Sequence, residues 1–149
     1  MRPKRRITVL LADDHDGIRK ELRKILEAAG DIEVVGEASN GEQAVEMAMK
    51  LRPAMVVMDI AMPKLNGLDA THQILQELPT AKVLVCSAYR DEVYVERAMA
   101  AGATGYISKL SIDLLTAALR GVHEGNAFID PALPKRHPHK PYDKRAGNR

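Results

Sequence analysis

At 149 residues, with 46% hydrophobic and 28% charged side chains, the chain has the size and composition of one globular domain, long enough to bury roughly two thirds of the surface its unfolded form exposes. The single Cys86 excludes an internal disulfide and every Cys-based zinc framework, and it fits a reducing cytoplasm. The net charge of +2 is segregated: Arg2, Lys4, Arg5 and Arg6 crowd the start, PKRHPHKPYDKRAGNR at the end holds six Lys or Arg against one Asp, and the body between is acidic, a body that calls for a cation or a basic partner.

The first apolar stretch after the basic start, ITVLLA, is six residues long before two aspartates. That is too short for a signal peptide's apolar core or a bilayer span, so no membrane placement is expected. It reads instead as a β-branched strand, followed by a helix in which Ile18, Leu22, Ile25, Leu26 and Ala29 share a face until Gly30 closes it. IEVVGEA predicts a second strand. Ser39 or Asn40 then caps a helix carrying Ala44, Val45, Ala48 and Leu51 on one side, which Pro53 ends. MVVMD is the third strand, with a helix over residues 67–77 stopped by Pro79. KVLVCS is the fourth, with a helix over 91–101 stopped by Gly102. GYIS and a helix from Ser111 to about Val122 complete a fifth pair.

Five strand–helix pairs with short connections imply right-handed crossovers and an α/β fold: a five-stranded parallel sheet, order 2-1-3-4-5, with helices on both faces. Strands buried on both sides explain the continuous apolar runs. The crevice of such a sheet lies beyond the carboxyl ends of its strands where strand order reverses, here between strands 1 and 3. The expected layout is a basic segment over residues 1–5, a domain over 6–131 and a basic tail or linker start over 132–149.

Strand 1 ends in ADDH and strand 3 in MD, so Asp13, Asp14 and Asp59 meet at the predicted crevice. A lone Asp at a strand end is more often a cap or turn residue; three together shift one another's pKa unless a cation intervenes, and their hard oxygens suit Mg²⁺. Strand 4 brings the hydroxyl of Ser87 to the same edge, and strand 5 the ammonium of Lys109. A divalent cation, a hydrogen-bond donor and a lysine can surround a transferring phosphoryl group, with one carboxylate left as nucleophile.

LLADDH, MDIAMPKLNGLDA, SAY and AGATGYISK together closely resemble the receiver domain of two-component response regulators over about residues 6–131. VVGEASNGEQAVEMA and AGATGYISK look most like the LuxR/NarL-type branch. The resemblance implies a CheY-like fold and a phosphoacceptor domain, not a free-standing enzyme, that assists its own phosphorylation and dephosphorylation. Asp59 would accept the phosphoryl group from a sensor histidine kinase or a histidine phosphotransfer protein. Asp14 would ligate Mg²⁺ directly and Asp13 mainly through water, with Asp59 and the Ala61 carbonyl completing the protein's share. Ser87 would bond a phosphoryl oxygen, Lys109 would pair with its charge, and Ser87 and Tyr106 would switch the face made by helix 4, strand 5 and helix 5. Such receivers often pair, so a homodimer is one expectation.

Two features depart from the pattern. Leu110 follows Lys109 where many receivers have a cis proline. The branch continues into a helix-turn-helix domain that these residues do not contain, so DNA binding is not assigned to them. Tyr89 is expected to overhang the site and slow water attack on the acyl phosphate. His15 reads as an exposed neighbour of the acid pair, and the RHPHK stretch as a solvated tail. Two competing readings are a Mg²⁺-dependent aspartyl-phosphate phosphohydrolase, which usually carries a second acid where Ala61 stands, and nucleic-acid binding through residues 134–149.

Overall fold

A computed structural model describes residues 5–134. Strands β1 (Ile7–Ala12), β2 (Ile32–Ala38), β3 (Met55–Met58), β4 (Lys82–Ser87) and β5 (Gly105–Ser108) alternate with helices α1 (Asp16–Glu27), α2 (Gly41–Leu51), α3 (Gly67–Glu77), α4 (Glu92–Ala100) and α5 (Leu115–His123). The sheet is parallel throughout, in the expected 2-1-3-4-5 order, and gains a sixth strand, β6 (Phe128–Ile129), on the outer edge of β5. The last helix also differs from the sequence expectation. A 3₁₀ segment over Lys109–Leu114 intervenes, and Ser108 caps it by accepting the Leu110 N–H through Oγ at 3.1 Å. No peptide bond among the described residues is cis. The basic start up to Lys4, most of the tail and RHPHK lie outside the described residues.

Alternation along each strand splits the core in two. Val9, Leu11, Met55, Val57, Leu84, Cys86 and Ile107 face α1 and α5; Leu10, Val56, Met58, Val83, Val85 and Tyr106 face α2, α3 and α4. Both layers bury nearly all their apolar surface, which is what holds a parallel sheet. Cys86 is one such filler, and burial pushes its thiol pKa up to about 12. Among the described residues no helix is long and apolar enough to cross a membrane.

Two Asn-Gly pairs set the strand ends against the helices that follow. Asn40 accepts the Gln43 N–H at 2.8 Å and Asn66 the Asp69 N–H at 2.9 Å, so each caps its helix and places a glycine at the first helical position. A Cβ on Gly67 would stand 1.8 Å from the Asp59 carbonyl oxygen, and one on Gly41 1.8 Å from that of Leu65. The β3–α3 loop is therefore pressed between two helix starts, which fixes the backbone that carries Asp59.

Gly67→Ala should cost at least about 3 kcal/mol, because backbone must move to admit the methyl. Gly121→Ala, inside α5 with its nearest neighbour 4.0 Å away, should gain about 0.5–1 kcal/mol. Chemical denaturation of both variants measures the contrast.

Candidate functional site

The acids meet because the ladder runs one residue past each strand. The Asp59 N–H donates to the Ala12 carbonyl at 2.9 Å and the Asp13 N–H to that of Ala38 at 3.0 Å, so both side chains leave the sheet at one crest. Carboxylate oxygens of Asp13, Asp14 and Asp59 all lie within 4.8 Å of one another. Asp13 and Asp59 are buried, at 1% and 5% exposure, whereas Asp14 is exposed. Lys109 reaches across from the end of β5, with Nζ 2.8 Å from Asp13 Oδ2 and 3.2 Å from Asp59 Oδ2.

The second oxygens are held by backbone. Asp59 Oδ1 accepts the Ile60 N–H and Asp13 Oδ1 the His15 N–H, each at 2.9 Å. Asp13 Oδ2 is different. Its one charged neighbour is the Lys109 ammonium at 2.8 Å, in an ion pair of poor hydrogen-bond geometry, and no backbone amide reaches it. An incompletely bonded hard oxygen beside two further carboxylates fits a divalent cation such as Mg²⁺.

Burial raises the Asp59 pKa to about 6; the Lys109 charge opposes that rise and the Asp13 charge adds to it. Burial also works against the Lys109 ammonium, but contact with Asp13 and the charges of both acids outweigh it and hold its pKa above the usual value. One ammonium therefore does not neutralise the trio.

Arg19 of α1, which the sequence reading did not single out, clamps the first acid loop. Its guanidinium donates to the Asp13 carbonyl oxygen at 2.7 Å, to Glu37 of β2 at 2.9 Å and to Asp16 at 2.7 Å. Arg23 donates to the other Glu37 oxygen at 2.6 Å, and it, with Arg19, holds that carboxyl below the usual range despite partial burial. The sequence signal for this clamp is slight: Asp16 stands three residues before Arg19, at helical spacing. His15, exposed as expected, also has a local role: its Nδ1 accepts the Ile18 N–H at 3.1 Å and caps α1.

Ser87 and Tyr106 are fully buried and share one neighbour. Ser87 Oγ accepts the Tyr89 N–H at 3.0 Å, and the Tyr106 hydroxyl donates to the Tyr89 carbonyl at 2.7 Å. The Tyr89 ring stacks on Tyr94 of α4, with centroids 4.3 Å apart. Ala61 lies exposed on the loop after β3. A cleft of about 250 Å³, lined by His15, Gly17, Ile18, Glu21, Lys109 and Ile112, opens beside the lysine.

A doubly covered parallel α/β sheet with an acid trio and a lysine at its crest is the form of a receiver-type signalling domain. Residues 9–120 match the response regulator receiver domain, and the chain belongs to that family. Its relatives include the transcriptional regulatory proteins DegU of Brevibacillus brevis (40% identical; 86% of this chain, 55% of that protein) and LiaR of Bacillus subtilis (41%; 77% and 57%). The chain thus spans just over half the length of these relatives. Among solved structures, it is similar to a LuxR-family two-component response regulator from Aurantimonas sp. SI85-9A1 (TM-score 0.82, 28% identity, 85% of this chain and 91% of that one). It is likewise similar to the receiver domain of the putative response regulator NarL from Mycobacterium tuberculosis (TM-score 0.78, 28% identity, 83% and 100%).

Because the folded Asp59 pKa lies near 6 against an ordinary 3.8, the native state binds the extra proton. The group's contribution is favourable below pH 4 and is lost as pH rises through 6. Without added metal, Asp59→Asn should therefore be more stable than wild type at pH 7 by about 1–3 kcal/mol, with the gap closing toward pH 4. Thermal melts across that pH range read the difference.

Proposed function

We propose that this receiver, over residues 6–131, accepts a phosphoryl group on Asp59 from the phosphohistidine of a sensor histidine kinase or a histidine phosphotransfer protein. The observation that carries this is the joint placement of Asp59, Asp13, Asp14 and Lys109 at one crest, with Asp59 buried just past the end of β3. An Asp59 carboxylate oxygen attacks phosphorus as the bond to the donor nitrogen breaks, giving an acyl phosphate and a free imidazole. Asp13, Asp14, Asp59 and the Ala61 carbonyl would hold Mg²⁺, which when bound supplies neutralisation of the charge gathering on the phosphoryl oxygens.

Lys109 moves from its two carboxylates to the incoming phosphoryl charge. Ser87 turns its hydroxyl to a phosphoryl oxygen and gives up the Tyr89 N–H. Since Tyr89 also carries the carbonyl bonded by Tyr106, that one exchange disturbs the β4–α4 loop and the buried tyrosine together. A charge event at the crest thereby biases the face made by α4, β5 and α5. The donor would approach over the cleft between the start of α1 and the turn after β5, where His15, Ile18 and Ile112 surround Lys109. A reducing cytoplasm and a homodimer complete this reading.

Incubation with Mg²⁺ and acetyl phosphate, followed by intact-mass analysis, tests it. Wild type should gain ~80 Da and Asp59→Asn should not. A wild-type protein that gains nothing, or an Asp59→Asn variant that gains the same mass, contradicts the assignment.

A further inference from the structure

Asp130 is a buried carboxylate, 1% exposed, that the chemistry above does not use. It lies just past β6, in a strap that runs along the outer edge of β5. The Phe128 N–H bonds the Thr104 carbonyl at 3.1 Å and the Asp130 N–H that of Tyr106 at 2.8 Å, so the strap stays in register to the end of the strand. There the Asp130 side chain turns inward. Oδ2 accepts the Ser108 N–H at 3.0 Å and Oδ1 the Ala132 N–H at 2.9 Å, while Arg90 of the β4–α4 loop donates to the Ala132 carbonyl at 3.0 Å. Burial would raise the pKa of this carboxyl; hydrogen bonds from the Ser111 side chain and from those two amides outweigh it and hold it below the ordinary value.

Ser108 directly precedes Lys109, and Ser111 lies within the 3₁₀ turn that Lys109 begins. Asp130 thus holds the backbone immediately before Lys109 through the Ser108 N–H. The peptide bond after Lys109 is trans and Leu110 stands exposed at 78%, so that neighbour packs little against the turn. A bidentate carboxylate in the low-dielectric interior is a stiff substitute.

We propose that Asp130 is a positioning residue: through the Ser108 N–H it fixes the start of the turn from which Lys109 reaches Asp13 and Asp59. This rests on the reading of Lys109 as the partner of the phosphoryl group. Lys109 has a long, flexible side chain, and holding its root is what allows one ammonium to serve two carboxylates and then a third anion.

The test is a double-mutant cycle on phosphorylation by acetyl phosphate in saturating Mg²⁺. Asp130→Ala should slow phosphorylation about tenfold in the wild-type background and less than about twofold in a Lys109→Ala background. A purely structural role would slow both backgrounds alike, and effects that multiply overturn the proposal. Asp130→Asn, which keeps one acceptor, should fall between wild type and Asp130→Ala and carries the same cycle should the alanine variant not fold. The second readout needs neither metal nor donor: the ε-methylene NMR signal of Lys109 should move or broaden in either Asp130 variant, and an unchanged signal overturns the proposal. If wild type itself takes up no phosphoryl group, the functional reading fails, and this signal still decides the role of Asp130.

Discussion

The Lys109 ammonium lies between Asp13 and Asp59, 2.8 and 3.2 Å from their carboxylates, and the rest of the molecule is arranged around that contact. Two buried acids and one exposed acid face a single lysine, so the pocket is under-neutralised by construction. Interaction in a half-dry site is far stronger than in water, which makes the shortfall costly and makes any added cation or transferable charge consequential. A parallel sheet delivers this arrangement directly: every strand ends at the same crest, so β1 and β3 supply the acids and β5 the lysine without long loops.

Rigidity behind the crest serves the same end. Gly67 lets α3 start in contact with the Asp59 carbonyl, Arg19 fixes the Asp13 carbonyl from α1, and Asp130 anchors the turn at Lys109. Each acts on backbone next to a charged side chain, not on the charge itself. Ser87 and Tyr106 both bond Tyr89, one at its N–H and one at its carbonyl, so the loop before α4 is where a change at the crest can be passed on. Tyr106 lies fully buried.

Much of this could be read in the chain because strands buried on both faces are apolar runs, and a charge that ends such a run stands out. Asp13, Asp59 and Lys109 were legible for that reason and Ser87 by its place at the end of the fourth run; the helix over 67–77 was legible by its spacing, and of the two caps the sequence offered, Ser39 and Asn40, the fold uses Asn40. The sixth strand was not, since Phe128–Ile129 is two residues long and its pairing depends on an edge that only the folded sheet supplies. Residues 111–114 of the 3₁₀ turn read as the start of the last helix because the apolar spacing there is helical; the Ser108 cap and the Asp130 bond to Ser108 decide otherwise. Arg19 and Glu37 lie 18 residues apart, and no periodicity links them. The sequence does place acids beside Arg19, but not the carbonyl that its guanidinium meets.

The most direct measurement is a Mg²⁺ titration followed at the backbone amides of His15 and Ile60, whose N–H groups bond the Asp13 and Asp59 carboxylates. An under-neutralised trio predicts saturable shifts of both amide signals with a common midpoint, together with a shift of the Lys109 side chain as the cation takes over part of its role. Amide signals that stay fixed to saturating Mg²⁺, or that move linearly without a midpoint, would contradict it.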